Sequence, residues 1–255
     1  MQLETSQRAA RPAGRRLSVG LAATPGEVAE AQQLRHRVFA GEMGARLAAG
    51  APGLDRDRFD DHCDHLLVRD DSTGEVLGTY RLLSPEGARR AGGLYSEGEF
   101  DLARLAPLRD GLVEAGRSCV HPEHRGGAVI ALLWSGIADY MRAGGHRFLA
   151  GCASVSLADG GRAAAGVYRS LAATHAAPAQ WRVFPRLPLP LDALDPAPEA
   201  RLPPLVKGYA RAGASVCGEP AWDPDFNTAD LFMLLPLERL DPRYASRFLA
   251  GPAGA

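Results

Sequence analysis

The first clear pattern in the chain is a helical repeat of apolar positions after residue 24. Four apolar residues recur three or four positions apart and give one face: Val28, Ala31, Leu34 and Val38. Thr24 stands before this run as a capping residue, Pro25 fits the first helical position, and Glu27 follows three residues after the cap. The pattern predicts an amphipathic helix that begins with a capping box.

Short apolar runs elsewhere predict strands. The first is "RLSVGLAA", and "HLLVRD" and "EVLGTYRLL" form a hairpin around "DSTG". Residues 84–110 have no regular pattern and are predicted to be irregular. Strand and helix then alternate in "GLVEAGRSCV", "AVIALLWSGIADYMRAG", "HRFLAGCAS" and "GGRAAAGVYRSLAA". This order predicts an α/β fold with a mixed sheet and helices on both of its faces.

The same pattern divides the chain into four parts. Residues 1–16 are a basic arm that is predicted to be disordered, and residues 17–184 hold the predicted core. The proline-rich stretch "PRLPLPLDALDPAPEARLPP" makes residues 185–204 a connector over the surface. Residues 205–255 form a C-terminal extension packed on the core, with a short helix, one or two strands and a last helix.

Composition narrows the class of protein. Of 255 residues, 46% are hydrophobic and 23% are charged, and the formal net charge is −1. These values are typical of a soluble globular protein and argue against nucleic acid as a partner. No apolar run reaches the roughly 18 residues of a membrane span. Residues 1–16 have arginines but no apolar stretch behind them, so they are not expected to be a secretory signal. The four cysteines form no CxxC pair, which favours reduced thiols and a cytoplasmic location. The arm has either no role or contacts an acidic partner or an anionic membrane surface, such as the inner membrane.

The turn between the strand and helix of "CVHPEHRGGAVI" carries a family resemblance. It resembles the turn of the GNAT superfamily of N-acyltransferases, in which backbone N–H groups and a helix N-terminus meet the pyrophosphate of the cofactor. Ala128 and Ile130 stand where further glycine would help to hold a pyrophosphate. The resemblance implies a sheet whose central strands splay apart.

Longer strings give a closer resemblance, from about Leu34 to the C-terminus. They include "LRHRVFAGEMGA", "DRDRFDDHCDHLLV", "GGLYSEGEFDL", "EAGRSCVHPEHR" and "SVCGEPAWDPDFNTADLFMLLPL". These strings resemble the ornithine N-acyltransferases of ornithine-lipid synthesis, which are similar in turn to acyl-homoserine-lactone synthases. The resemblance implies transfer of a 3-hydroxy-fatty-acyl group from acyl carrier protein to the α-amine of L-ornithine, which gives lyso-ornithine lipid. It implies no bound cofactor, since the donor is acyl-phosphopantetheine on the carrier.

The resemblance also implies site residues at the positions that match the shared pattern. Those expected to bind substrate are Arg35, Phe39, Asp57, Asp60, Arg81, Phe100 and Arg117. Glu114 is expected to be catalytic. Those expected to contact the carrier or its phosphopantetheine are Arg125, Gly126, Gly127 and Lys207. The tryptophan that the synthases have near their first helix has no counterpart here, so their amine substrate is not implied.

Glu114 is the candidate for proton handling. An α-amine must lose a proton to attack a thioester, and a nearby carboxylate can take it directly or through one water. The alternative is a structural ion pair with Arg35 or Arg117. On a regular strand Glu114 and Arg117 would point to opposite faces, and Gly116 between them permits a bulge that turns both toward one cleft. We therefore predict a bulge between Leu112 and Val120.

The acidic loop offers a candidate cation site. Its aspartates are Asp57, Asp60, Asp61 and Asp64. Such a cluster attracts a substrate with two amino groups, although a solvated loop explains it equally well. The arginines Arg35, Arg81 and Arg117 either bind the substrate carboxylate or neutralise these aspartates. Asp225 and Asp230 are weaker candidates for binding the cationic side chain.

The turn after the long strand suits a smaller anion than a pyrophosphate. Phosphopantetheine on a carrier brings one phosphodiester, so fewer N–H groups need to converge and Ile130 can pack inward. Arg125 then meets the phosphate or the acidic carrier, or it is a solvated turn residue. Lys207, the only lysine, is a second candidate for this contact and equally an ordinary surface residue.

Several rival interpretations stay open at this point. The pairs His62/His65 and His121/His124 lie beside cysteines but in no recognised zinc frame, so no metal is expected. Cys119 is a minor candidate for an acyl-accepting nucleophile. At the level of function, the rivals are a coenzyme-A-dependent N-acetyltransferase of a small amine and a non-catalytic module that binds a carrier or a lipid.

Overall fold

A computed structural model describes residues 16–47, 51–195 and 201–240. The strands within these ranges are β1 (Leu17–Leu21), β2 (Asp64–Asp70), β3 (Val76–Leu83), β4 (Phe100–Asp101), β5 (Leu112–Val120), β6 (Phe148–Ser156), β7 (Phe184–Pro185), β8 (Ser215–Val216), β9 (Ala221–Asp223) and β10 (Thr228–Pro236). The helices are α1 (Pro25–His36), α2 (Pro85–Ala91), α3 (Ala128–Ala143), α4 (Arg162–Thr174) and α5 (Pro204–Ala212). The predicted disordered arm, up to residue 15, and the predicted last helix lie outside the described residues.

The main sheet is mixed, as the sequence predicts. Its order is β1-β2-β3-β5-β6-β10-β8, and the short β9 also pairs with β10. Strands β5 and β6 are parallel and are linked by α3, while the other pairs are antiparallel. A second, two-stranded sheet joins β4 to β7. The predicted α/β fold with a mixed sheet is therefore confirmed.

The two parallel strands separate after a short contact. They pair only at Leu112 with Phe148, Val113 with Leu149, and Glu114 with Ala150. At the last pair the backbones approach closely, because a Cβ atom on Gly151 would lie 2.1 Å from the Ala115 carbonyl oxygen. Beyond this point β5 and β6 diverge, which confirms the predicted splay of the central strands.

Helices cover both faces of the sheet. Successive residues of a strand point to opposite faces, and Leu66 packs in the cluster that includes α3 while Leu67 packs with α1. Residues of α4 and α5 belong to the same cluster as α3. The face that α1 shares is extended by a third cluster around α2 and Phe100. The core is thus two layers of helix with the sheet between them.

The first helix forms for the reason that its sequence gives. The Thr24 hydroxyl accepts the Glu27 N–H at 3.2 Å, and a Glu27 carboxylate oxygen accepts the Thr24 N–H at 3.1 Å. This is the predicted capping box. The chain then continues as a π-helical turn, Arg37–Glu42, which buries Val38 and Phe39.

The prediction that residues 84–110 are irregular is wrong in its first part. Residues Pro85–Ala91 form α2, in which the Ser84 hydroxyl accepts the Gly87 N–H at 3.0 Å and Pro85 takes the first helical position. The cap signal is present in the sequence, but the helix is too short to show a hydrophobic repeat. The rest of the segment consists of the 3-10 turns Tyr95–Gly98 and Ala103–Gly111 and the short β4.

The C-terminal part contributes strands to the main sheet. Strand β10 lies between β6 and β8, and all nine of its residues are buried. The proline-rich segment is also partly fixed, because β7 pairs with β4 and Leu189 is only 6% exposed. Residues 205–240 therefore complete the main sheet and bring Asp230 beside β6.

Candidate active site

A cavity opens where β5 and β6 separate. Its volume is about 230 Å³. Residues 115–118 of β5 form one wall, and Cys152 and Ser154 of β6 form the other. Aromatic and apolar side chains close it on the remaining sides: Phe39, Met43, Phe59, Leu83, Tyr95, Leu205 and Phe226. The volume suits a molecule as small as an amino acid. Because β5 no longer pairs with β6 beyond Glu114, backbone groups of β5 on that edge face the cavity.

A bulge in β5 shapes the first wall. Thr79 pairs with Cys119 and Arg81 with Gly116, so Tyr80 alone of β3 stands opposite two residues of β5. Arg117 has a φ of 50°, which is uncommon outside glycine. The bulge predicted from Gly116 is therefore confirmed. It turns both Glu114 and Arg117 toward the cavity, which both side chains line.

Glu114 is held by an anion-binding turn. Its carboxylate accepts the N–H groups of Tyr95 at 2.6 Å and Ser96 at 2.9 Å, and also the Ser96 hydroxyl. The side chain is 5% exposed, and burial raises its pKa above the ordinary value, although the hydrogen bonds from Ser96 and Tyr95 oppose the rise. A carboxylate with a raised pKa is a better proton acceptor, so this position suits a general base.

Beside Glu114 lies a closed ring of alternating charges, which we call the ion-pair ring. Its members in order around the ring are Arg35, Asp55, Arg117, Asp57, Arg81 and Asp60. Arg35 lies 2.9 Å from Asp55 and 2.6 Å from Asp60. Each remaining contact is between 2.7 and 3.2 Å long. Every arginine thus meets two aspartates, and every aspartate meets two arginines.

The ring is electrically balanced and nearly dry. Its side chains are at most 13% exposed, and Arg35 is fully buried. Burial alone raises the pKa of Asp60, but Arg35 and Arg81 outweigh it and lower that pKa to about 2. Asp60 is therefore ionised at neutral pH, and the ring pairs its three aspartates with three guanidinium groups.

A separate part of the cavity wall carries carboxylates that form no ion pair within the described residues. Glu99, Asp223 and Asp230, which we call the acidic triad, have carboxylate oxygens within 4.8 Å of one another. Within residues 16–47, 51–195 and 201–240, none of the three forms an ion pair with a basic side chain. Burial, followed by the charge of Asp230, raises the pKa of Glu99 to about 9. Burial also raises the pKa of Asp230. The triad is an electrostatically unsatisfied wall of the same cavity.

Comparison with known proteins places this geometry in a family. Residues 34–135 match the family model described as an acetyltransferase (GNAT) domain. The chain is 39% identical to the L-ornithine N(alpha)-acyltransferase of Brucella abortus (strain 2308), with 91% of this chain and 88% of the relative covered. It is 36% identical to the enzyme of the same name from Rhizobium meliloti (strain 1021), with 91% and 84% covered.

The chain belongs to the L-ornithine N(alpha)-acyltransferase family. The resemblance that the sequence strings indicate is thereby confirmed. The fold agrees: a solved structure of the CoA-dependent acyl-homoserine lactone synthase BjaI superimposes with a TM-score of 0.56 at 15% identity, with 94% of this chain and 92% of the synthase covered.

This acyltransferase brings four of the predicted site residues to the cavity wall. They are Phe39, Arg81, Glu114 and Arg117. The Phe39 ring also packs against Phe226 at 5.7 Å, and the Arg117 guanidinium stacks on Tyr95 at 4.9 Å and on Phe226 at 5.1 Å. These four positions are compatible with the predicted substrate contacts.

The other predicted substrate-binding residues of the acyltransferase lie behind the wall. Arg35, Asp57 and Asp60 belong to the ion-pair ring and are not among the cavity-lining residues. Phe100 is fully buried in the core, with its ring 5.8 Å from that of Phe232. The geometry supports a positioning role for these four, because the ring fixes Arg81 and Arg117. Of the two alternatives that the sequence left open for the arginines, it favours neutralisation of the aspartates.

The turn before α3 is exposed and already engaged. Arg125 donates two hydrogen bonds to the Glu42 carboxylate, at 2.7 and 2.6 Å. Gly126 is exposed, and Gly127 caps α3 with a φ of 92°. Ile130 is half-buried and packs against the main core, as expected. Lys207 is exposed on α5, between Leu205 and Tyr209 of the cavity wall.

Two minor alternatives lose support. Cys119 is 6% exposed, does not line the cavity, and burial raises the pKa of its thiol to about 12, so it is a poor nucleophile. His121, Glu123 and His124 offer ligand atoms close together. However, the Arg37 guanidinium lies 2.7 Å from His121 Nε2, where it would repel a metal ion.

Sequence reasoning missed several residues of the site. Asp55 closes the ion-pair ring, Ser96 holds Glu114, and Glu99 and Asp223 complete the acidic triad. The string "GGLYSEGEFDL" contains both Ser96 and Glu99, and "DPDFN" begins at Asp223. The signal was thus present in strings that carry the family resemblance, but their meeting in space could not be read from their spacing.

No helix of the described residues has the length and apolar character needed to cross a membrane.

Proposed function

We propose that this chain transfers a 3-hydroxy-fatty-acyl group from acyl carrier protein to the α-amine of L-ornithine, which gives lyso-ornithine lipid. The observation that carries this proposal is the 36–39% identity, over about nine tenths of the chain, to enzymes named L-ornithine N(alpha)-acyltransferase. The geometry supports it, since an amino-acid-sized cavity meets a carboxylate of raised pKa at a strand split.

The proposed reaction is a direct attack within the cavity. The α-amine attacks the thioester carbonyl, a C–N bond forms, and the C–S bond breaks. Glu114 takes the proton of the amine, directly or through one water, and the departing thiolate of phosphopantetheine is then protonated. Backbone N–H groups of β5 beyond Glu114, on the edge that no longer pairs with β6, are the donors proposed to stabilise the oxyanion.

The donor half of the proposal relies on the turn before α3. A helix N-terminus attracts an anion, and Arg125 stands at this one. Glu42 neutralises Arg125 in the free protein, so a phosphate must displace the Glu42 carboxylate or share the guanidinium with it. Lys207 provides a second exposed cation on a helix that also borders the cavity.

The test uses purified protein, L-ornithine and three matched donors. They are a 3-hydroxyacyl group on acyl carrier protein, the same chain without its hydroxyl on the carrier, and the 3-hydroxyacyl group on coenzyme A. Mass spectrometry of the lipid fraction should detect lyso-ornithine lipid, most rapidly from the first donor. Equal rates from coenzyme A would contradict carrier dependence, and no product from any donor would contradict the proposal as a whole.

The pair of Arg125 and Glu42 supplies a matched control for the carrier contact. Arg125→Ala should raise the KM for the acyl carrier about threefold to tenfold, because an exposed charge contact contributes roughly 1 kcal/mol. Glu42→Ala removes the same ion pair but leaves the cation in place, so the KM should stay level or fall. Parallel effects of the two variants would show that the pair serves only to hold the turn.

A further inference from the structure

We propose that the acidic triad binds the side-chain ammonium group of the amino-acid acceptor and so selects diamino acids over neutral ones. The inference deepens the proposed function and rests on it. It assigns the cation site to Glu99, Asp223 and Asp230, which line the cavity, and not to the aspartates of the acidic loop, which do not.

The triad is assembled from three parts of the chain. Glu99 precedes β4, Asp223 ends β9, and Asp230 lies on β10. Strand pairing sets Asp230 beside Ser154 of β6 and Ala221 of β9. All three acidic residues line the cavity. Asp230 is buried and the other two are half-buried, so the three acids come together from separate segments as part of the cavity wall.

The triad also has unused hydrogen-bonding capacity. The Oε2 atom of Glu99 is buried and has no hydrogen-bond partner. Asp230 is 4% exposed, and its Oδ1 atom accepts the Thr228 hydroxyl at 3.2 Å. An ammonium group offers three N–H donors and carries the missing positive charge. A wall of carboxylates without a basic partner among the described residues, one of which has an unpartnered buried oxygen, is therefore complementary to it.

The triad lies at a suitable place relative to the proposed base. The Ser96 hydroxyl donates to Glu114 and lies 3.3 Å from the Cys152 sulfur. Cys152 lines the cavity two residues before Ser154, which pairs with Asp230 across the sheet, so Cys152 and Ser154 point to the same face of β6. An acceptor with its α-amine at Glu114 would therefore run its side chain past Ser96 and Cys152 toward the triad.

The ion-pair ring does not compete for this role. Its three aspartates each contact two guanidinium groups, so a substrate ammonium would have to displace an arginine from a buried contact. The acidic triad requires no such displacement. This difference decides between the two acidic clusters as the site of the side-chain cation.

A metal ion suits the triad less well than an ammonium group. One oxygen of Asp223 already accepts the N–H groups of Asp225 and Phe226, at 2.8 and 3.1 Å. Calcium requires six to eight oxygen ligands, and the triad offers fewer free ones. A metal nevertheless remains a measurable outcome of the test.

The experiment compares two acceptors that differ only in the ammonium group. L-Norvaline has the three-carbon side chain of L-ornithine without the terminal amine. We expect wild-type protein to prefer ornithine by about 100-fold or more in kcat/KM, since a site built for polar contacts rejects an analogue that lacks them. Glu99→Gln and Asp230→Asn should each lower the ratio of ornithine to norvaline at least tenfold, through ornithine alone. Asp192→Asn, an exposed acid-to-amide change, is the control and should keep the wild-type ratio.

The outcomes separate this inference from the proposed function. Acyl transfer to ornithine with an unchanged acceptor ratio in both triad variants would overturn the inference and leave the function standing. If no donor gives product, calorimetric titration of free protein with ornithine and with norvaline still tests the triad: equal affinities overturn it. Titration with CaCl2 alone is the third arm, and binding that Glu99→Gln abolishes would assign the triad to a metal. Circular dichroism and thermal melting of each variant confirm that it is folded.

Discussion

The ion-pair ring and the acidic triad use the same residue types in opposite ways. The ring, which lies mostly behind the cavity wall, matches three aspartates to three arginines and leaves no charge over. In the triad, which lines the cavity, three carboxylates have no basic partner among the described residues. A buried charge is costly unless it is paired, so the first arrangement is complete in the free protein. The second is completed only by a cation from outside.

The contrast shows that acidic residues in a site carry two separate meanings. Asp60 has a pKa lowered to about 2 and serves to hold arginines in place. Glu99 has a pKa raised to about 9, so it is protonated at neutral pH in the free protein. The same change, from carboxylate to amide, should therefore have opposite effects on stability in the ion-pair ring and in the acidic triad.

The largest effect is expected at the ion-pair ring. Asp60→Asn leaves Arg35 and Arg81 without one of their two carboxylates in a buried position. We expect the free energy of unfolding to fall by about 3–5 kcal/mol, as when one partner of a buried pair is removed. Urea unfolding at pH 7 measures it. The neighbouring Asp61, which meets Arg56 at the surface, is the control, and Asp61→Asn should cost about 0–1 kcal/mol. A cost at Asp60 no larger than that of the control would contradict the structural importance of the ring.

A smaller loss of stability is expected where β5 and β6 diverge. Gly151→Ala puts a methyl group 2.1 Å from the Ala115 carbonyl oxygen, so β5 or β6 must shift. We expect a loss of about 1–3 kcal/mol in thermal or urea unfolding, as for overpacking elsewhere. Gly116→Ala is the matched control, because its Cβ would meet no atom within 4 Å. If both variants unfold alike, the close approach of the two strands is not what fixes the split.

The acidic triad should respond in the opposite direction. The folded-state pKa of Glu99 is raised to about 9, so its stabilising contribution is complete below about pH 4.5 and is lost as the pH rises toward 9. Glu99→Gln removes this loss, and we expect the variant to exceed the wild type by about 1–3 kcal/mol at pH 9, the cost of an unsatisfied buried group. Near pH 5 the two should be equal. Unfolding curves at pH 5, 7 and 9 check this, and a variant that is less stable at pH 9 would refute the unpaired state of the triad.

The smallest effect concerns Glu114, the proposed base. The Ser96 hydroxyl hydrogen-bonds to Glu114 and lowers its pKa against the effect of burial. Ser96→Ala should therefore raise that pKa and move the acid limb of the kcat/KM profile about one pH unit higher, since the reaction needs the carboxylate form. Ser156→Ala, exposed at the end of β6, should leave the limb unmoved. A limb that stays in place in Ser96→Ala would argue against Glu114 as the titrating base.

Much of the fold was predictable because its signals are local. The cap at Thr24, the hairpin turn and the bulge at Gly116 each depend on residues a few positions apart, and the structure has all three. Helix α2 was missed because seven residues give too little periodicity, although Ser84 and Pro85 mark its start. Strand β10 was expected in an extension, since strand order across a sheet is not encoded in neighbouring residues.

The site was predictable only in part, for a related reason. Glu114 and Arg117 lie on one strand, and the family strings mark both of them. Glu99 and Asp230 are far apart in sequence and meet only when β10 enters the sheet beside β6. Sequence also favoured Asp57 and Asp60 as a cation site because their cluster is visible, whereas the arginines that neutralise them come from α1, β3 and β5.

The position of β10 has a consequence for how the enzyme is made. Glu114, the bulge in β5 and the residues of the ion-pair ring are all synthesised well before Thr228–Pro236. The nascent chain therefore exposes the edge of β6 and half of an acceptor site while translation continues. Because Asp230 arrives on β10, the last strand of the described residues, the proposed recognition of the amino acid is completed only when β10 pairs with β6. A chain halted before residue 228 would keep its proposed base and lack the means to choose its substrate.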